Sequence, residues 1–366
     1  MLFSTRDIDI LKLLRWCKLI RCNDLSQMFS DDDISNLLTL SLIKIHRKSG
    51  SFVLTASGHQ LLDDAVSDLP PSTPPAYRAT DTARRLRLSE IMLTTYASNI
   101  DVFAPNTAGL VPNETLFLPS IARGRGTNPW GSTRVAAIAH IGDLLCAFHY
   151  VCPEIGQLAL NDELAAFHSN TTNLPDIQRA FAFFGSSYSE ILAELEAEEP
   201  EPDTKLSSYR EAYKLLTLPV FLVPCNSTGT IQLRILSIPN YRQKLTQAAL
   251  KSQYEPSPTS FPLCDAFFHG MPFLMAADME LRRIDAAIDA ARAQGFSQIS
   301  LAALPAQCEE VLYQRYRDTG KARVFALTDA ALKQVLGTPL PPYDPPHKPY
   351  FTQEGDVIHV PLIKAR

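Results

Sequence analysis

Apolar residues along the first part of the chain fall at helical spacing. Ile8, Leu11 and Leu14, with Leu13, make a stripe that runs to Trp16, and Ser4 or Thr5 stands where a helix cap belongs. "NDLSQMF" supports a short second helix capped by Asn23 or Asp24. A third helix is predicted from Ser30, with Asp33 three positions on and Ile34, Leu37, Leu38 and Leu42 on its apolar side. The period then shifts to alternation. "IKIHR" and "SFVLT" read as strands joined at Lys48-Ser49-Gly50, and "TASGHQLLDDAV" as a closing helix. Three helices, a hairpin and a fourth helix are the order of a winged helix-turn-helix.

A Pro-rich stretch, "DLPPSTPPA", breaks the pattern and marks a linker over 68–78. The winged helix therefore occupies 1–67. A helix is expected at 79–98, then a long Gly-, Pro- and Asn-rich loop to Gly131. From Arg134 strands and helices alternate: a strand pair at 134–151, a helix near 160–168, a strand at 179–185 and a helix at 188–199. Strands are expected at "LPVFLVPC" and "TIQLRILSI". Residues 79–260 read as one α/β domain. In 261–340 "PFLMAA", "SQISLAAL" and "ARVFAL" alternate with helical segments ended by Gly295 and Gly320, a βα-repeat subdomain. The tail, 341–366, is Pro-rich, with "DVIHVPLIK" as an edge strand. The fold class is α/β (or α+β), with a mixed or parallel sheet behind the winged helix. No internal repeat is evident in the residues.

Charge changes this picture by location. The chain of 366 residues carries a formal net charge of -5, which is no polyanion-binding signature for the whole. Residues 1–68 are near neutral at -1, 69–135 carry +3, 136–203 carry -11 and 204–366 carry +4. A polyanion would meet the first third or the last part and avoid the middle. No apolar run approaches the ~18 residues of a membrane span. "MLFSTRDIDILKLL" has acids in its first ten residues and no small-residue cleavage site, so it does not read as a signal peptide. Seven cysteines, an odd number without a CxxC pair, read as reduced thiols in a cytoplasmic protein.

Candidate chemistry is sparse. In "CAFHYVC" Cys146, His149 and Cys152 lie on a strand that puts His149 on the opposite side from both thiols, and roughly 20 Å separates the two cysteines. That excludes one metal or one disulfide. "GSSYS" at 185–189 lacks the glycines and Lys of a phosphate loop and reads as a helix cap. Asp143 follows Gly142 in a hairpin turn, and Asp278 ends a strand where doubly wound folds hold ligands. No cofactor or metal is expected.

The winged helix is the better candidate. Ser35, Asn36 and Thr39 are expected on the open side of the third helix, able to bond base edges or phosphates. Arg47 and Lys48 form the wing tip, and Arg84, Arg85 and Arg87 follow the linker. Arg15, Lys18 and Arg21 add charge nearby. Against this, the third helix opens with Asp31, Asp32 and Asp33, which repel phosphates yet suit the positive end of the helix dipole. Double-stranded DNA and a protein partner both stay open as ligands of this module.

"STRDIDILKLLRW", "NDLSQMF" and "SFVLTASGHQLL", with Leu54, Thr55 and Gly58 opening the last helix, resemble the winged-helix start of replication-relaxation type proteins of bacterial plasmids and conjugative elements. The resemblance covers residues 4–66. It implies DNA binding through Ser35, Asn36, Thr39, Arg47 and Lys48, as a transcription regulator or an accessory replication or transfer factor of a mobile genetic element. It also implies a nuclease-like α/β domain behind the winged helix. Such a site needs a carboxylate on one strand and an acid-x-Lys on the next. "RAFAFFGSS" and "LPVFLVPC" carry neither acid nor Lys, so that core is expected to be catalytically empty and to serve a homodimer or a protein partner. Two alternatives stand beside this reading: a scaffold whose winged helix no longer binds DNA, and a divergent nuclease or nucleotide-binding enzyme using Asp143 or Asp278.

Overall fold

A computed structural model describes residues 2–66, 79–103, 116–119, 136–152, 164–169, 171–172, 178–197, 210, 213–214, 216–337, 350–352 and 357–358. The chain divides into two units, one made of 1–109, 117–127 and 340–366, the other of 110–116 and 128–339.

In the first unit, α1 (Thr5–Cys17) starts at a reciprocal cap: the Asp7 amide donates to the Ser4 hydroxyl at 3.1 Å and the Ser4 amide donates to Asp7 at 2.7 Å. Its apolar residues are buried on all sides, Ile10, Leu13 and Cys17 as fully as Ile8, Leu11 and Leu14. A second cover explains this. The helix α5 (Ala79–Ala97) packs on α1, bonding the Tyr96 hydroxyl to buried Asp9 at 2.9 Å and setting Met92 against Cys17. Thus α5, expected at the head of the α/β region, belongs to the winged-helix unit. Between them come β2 (Ile20–Arg21), α2 (Cys22–Ser26), α3 (Asp31–Thr39), β3 (Ile43–His46), β4 (Ser51–Leu54) and α4 (Ala56–Ala65). The three strands form an antiparallel sheet in the order β2-β4-β3, which with the helices is the winged helix-turn-helix read from the sequence. The strand β1 (Leu2–Phe3) pairs with Tyr350–Thr352, which pairs with Val357–Ile358, so the tail adds two short strands rather than one.

The second unit contains two sheets of one design. In the first, β6 (Ala137–Ile141) and β7 (Leu144–Tyr150) are an antiparallel hairpin; the short strand β5 (Leu116–Pro119) that precedes them falls at the division of the chain between the two units. Then β8 (Gln178–Gly185) and β9 (Val220–Pro224) add in parallel. In the second, β10 (Glu255–Pro256) precedes the hairpin of β11 (Ala266–Phe268) and β12 (Met271–Met275), and β13 (Ile299–Ala303) and β14 (Ala322–Ala326) add in parallel. Each hairpin has a two-residue turn, Gly142-Asp143 or His269-Gly270, with positive φ at Gly142, His269 and Gly270. Helices follow the parallel strands in both: α6 (Tyr188–Glu196), α7 (Ser227–Leu236) and α8 (Tyr241–Leu250) in the first half, α9 (Leu281–Ala293), the helical stretch 305–317 and α11 (Asp329–Leu336) in the second. That stretch, α10, starts as Pro305–Gln307 and continues with π-helical bonding over Cys308–Arg317. The repetition is one of topology and leaves no trace in the residues.

The expected strand at "TIQLRILSI" is α7. Asn226 decides it by accepting hydrogen bonds from the Thr228 and Gly229 amides at 2.9 and 3.2 Å, the cap that starts a helix. The alternation of Ile231, Leu233 and Ile235 mimics a strand but serves a helix buried against β9.

A buried network joins the two halves. The Tyr188 hydroxyl donates to the Gln232 carbonyl at 2.7 Å and accepts from the Gln307 amide at 2.9 Å. The Gln232 amide donates to Leu222 O and Asp278 O, both at 2.8 Å, and the Gln307 amide to Ala277 O at 3.0 Å. Tyr188 is the first residue of the helix after β8 and Gln307 the third of the helix after β13, so both stand in the first turn of corresponding helices.

Candidate nucleic-acid interface

The third helix starts at Ser30, whose hydroxyl accepts from the Asp33 amide at 3.2 Å while Asp33 accepts from the Ser30 hydroxyl at 2.7 Å. One of the three aspartates is therefore part of a cap, and it also lies 3.9 Å from Arg6. Asp31 and Asp32 point to solvent. Ile34 and Leu37 are buried, which turns Ser35, Asn36 and Thr39 outward, as expected. The Thr39 hydroxyl donates to Ser35 O at 2.8 Å, leaving its oxygen as an acceptor.

The wing is held at its tip. The Ser49 and Gly50 amides donate to His46 O at 3.2 and 3.0 Å, the His46 ring bonds the Ser49 hydroxyl at 2.8 Å, and Gly50 takes φ 58°. On this short, bonded turn Arg47 and Lys48 are exposed, and among the described residues neither has an ion-pair partner.

The arginines expected after the linker lie on α5. Arg84 is exposed, and Arg85 and Arg87 are half-buried. The charge of Arg85 acts on Cys17 and Lys18, at the C-terminal end of α1. Glu90, further along α5, pairs with Arg21 of β2, and Arg21 faces Ser51 across the ladder beside the wing. This pair ties the middle of α5 to the wing sheet.

The other basic residues noted in the sequence are committed to structure. Arg15 is 5% exposed and bonds Asp63 at 2.8 Å and His59. Arg21 pairs with Glu90 and Asp24. Burial, with the charges of Arg85 and Arg15, pulls the Lys18 ammonium below its ordinary value. Two exposed residues escaped the sequence reading, Lys44 and Ile45 on β3. Alternation puts Ile45 on the side of buried Ile43, yet Ile45 is 50% exposed. The pattern gives the face but not where the helices beneath it end.

The two acids of the enzyme alternative are far from equivalent. Asp143 is exposed in its hairpin turn. Asp278 is fully buried, accepting from the Tyr241 hydroxyl at 2.8 Å and Arg242 Nε at 2.7 Å, with Arg283 at 3.9 Å. Burial alone would raise its carboxyl, but the two guanidiniums and the Tyr241 hydroxyl hold it below the usual carboxylate value. Glu280, bonded to Arg242 at 2.9 Å, is pushed up by burial and by Asp278. Arg283 also reaches Asp265 at 3.2 Å. The strands run β11-β12-β13-β14 in sequence order, without the order reversal that opens a ligand crevice in doubly wound sheets. Among the described residues no group of three or more His, Cys, Asp or Glu is placed to hold a metal. Cys146 and His149 lie in β7 as expected, both buried, with His149 tilted against Phe183. "GSSYS" is a cap, Ser187 accepting from the Glu190 amide. No described helix is long and apolar enough to cross a membrane.

Comparison with family models, with curated proteins and with solved structures finds no match to this chain.

Proposed function

We propose that the protein is a DNA-binding regulator or accessory replication or transfer factor of a mobile genetic element. It contacts double-stranded DNA through its winged helix, while its α/β unit serves dimerisation or a partner. The observation that carries this reading is the wing tip, where a turn fixed by hydrogen bonds presents exposed Arg47 and Lys48 without ion-pair partners among the described residues. Beside it α3 offers Ser35, Asn36 and Thr39 on one open face. Exposed Asp31 and Asp32 keep the first turn of α3 away from phosphates, so base contact comes from its middle and anchoring from the wing, with Arg84, Arg85 and Arg87 as flanking cations. The mobile-element context rests on the resemblance of residues 4–66.

The test is fluorescence anisotropy of the full chain on duplex DNA over a salt series. Binding should weaken steeply with salt. Arg47→Ala/Lys48→Ala should lower affinity on all sequences and flatten the log–log salt slope by about 2. No binding at low salt sinks the reading. Exposed Ile45, between Lys44 and Arg47 on the edge strand of the wing, then favours a second one, a winged helix that docks protein.

A further inference from the structure

We propose that the protein forms a two-fold dimer through β14, two copies pairing antiparallel about Val324 so that the second sheet continues into its partner. The inference rests on the second unit alone and is independent of DNA binding.

The molecule supplies its own comparison. Strands β9 and β14 hold the same place, last in the parallel part of each half. In β9 every residue is buried. Two of its outward carbonyls are occupied, Leu222 O by the Gln232 amide at 2.8 Å and Leu218 O, just ahead of the strand, by Arg282 of α9. The edge of the first sheet is thus covered by its own α7 and by Arg282 from the second half. Among the described residues nothing comparable covers β14. Arg323, Phe325 and Ala326 are exposed, with Phe325 at 41%. The Leu327 amide donates to Ala303 O at 2.8 Å, which turns the main-chain groups of Arg323 and Phe325 toward β13 and those of Ala322, Val324 and Ala326 outward. Among the described residues those outward groups have no hydrogen-bond partner. The strand carries no proline and no bulge, the usual devices that blunt an edge.

Its residues select both partner and register. Because Val324 directs its main chain outward, two copies meet there as a hydrogen-bonded pair on the two-fold axis, with Ala322 opposite the partner copy's Ala326. Arg323 then stands opposite Phe325 of the second copy at the closer, non-hydrogen-bonded positions, twice by symmetry. Each pair sets a guanidinium against an aromatic ring. A shift that centres Arg323 puts the two arginines opposite one another. A shift that centres Phe325 leaves Arg323 facing Leu327. Registers centred on Arg323, Val324 or Phe325 all satisfy the edge, but only that on Val324 sets each Arg323 against a Phe325, so the strand is complementary to itself.

Sedimentation of the full chain over a concentration series tests this. The wild type should be a dimer. Val324→Pro should be monomeric with unchanged circular dichroism, because the N–H it removes points away from β13. Phe325→Arg sets like charges opposite Arg323 and should also give a monomer, and adding Arg323→Glu to it should restore the dimer by pairing opposite charges. A wild type that is monomeric at its highest soluble concentration overturns the proposal. So does a dimer that survives Phe325→Arg, or a double variant that stays monomeric.

Discussion

Arg15 shows why the identity of a residue says less than its surroundings. In the sequence it is one of several cations near a DNA-binding motif. In the fold it is buried, clamped between Asp63 and His59. His59 must offer a lone pair to that guanidinium. Burial first, then the Arg15 charge, hold it below its ordinary value of 6.5. The folded protein therefore takes up a proton at His59 less readily than the unfolded chain, which does so as pH falls through that value. Its contribution is complete above the ordinary value and is lost as pH drops below it. Thermal melting should fall between about pH 7.5 and 5.5, and fall less in His59→Gln. Asp278 is the opposite case. Its lowered carboxyl favours folding above the ordinary carboxylate value and ceases to do so in acid. Asp278→Asn leaves Arg242 and Arg283 under-compensated and should cost about 3–5 kcal/mol in denaturant titrations. Glu280→Gln should cost clearly less, since burial already disfavours that charge.

At the scale of elements, the local signals that were legible are the ones with a local cause. Ser30 and Asp33, Thr55 and Gly58, Ser187 and Glu190 all mark helix starts by hydrogen bonds three residues apart, and all form. Gly58 has a second reason to be glycine. A Cβ there would lie 2.2 Å from Leu42 O, where α4 crosses the loop into β3. Gly58→Ala should destabilise the winged helix by about 1–3 kcal/mol, read as a lower melting temperature. What the sequence hid has tertiary causes. The helix α7 was misread because Ile231, Leu233 and Ile235 alternate. Its position is set by Gly229, where a Cβ would meet Pro224 O at 1.8 Å, a packing fact with no periodicity. The open face of α3 was legible because Ile34 and Leu37 define its buried side. The splitting of the basic residues into wing, α5 and buried clamp was not, since it depends on which distant carboxylate each one meets.

Across the whole molecule, the common design of the two sheets was invisible to a search for repeated residues. Strand order and direction are fixed by where apolar faces meet, and different residues meet that demand. The halves act as one through Tyr188, Gln232 and Gln307. Gln307→Leu leaves the Tyr188 hydroxyl only its bond to Gln232 and strands the Leu304 amide and the Ala277 carbonyl, so unfolding of the second unit should broaden or split in calorimetry relative to the wild type. The dependence also has a direction in time. The guanidinium of Arg282 that closes off the carbonyls at Leu216 and Leu218 is supplied from α9. The ribosome makes Arg282 about 60 residues after Pro224, so at roughly 5–20 residues per second the first sheet waits on the order of 3–12 s with those two carbonyls uncovered. During those seconds the entry to the last strand of the sheet is open to water and to other chains, a vulnerability set by the order of synthesis and absent from the finished fold.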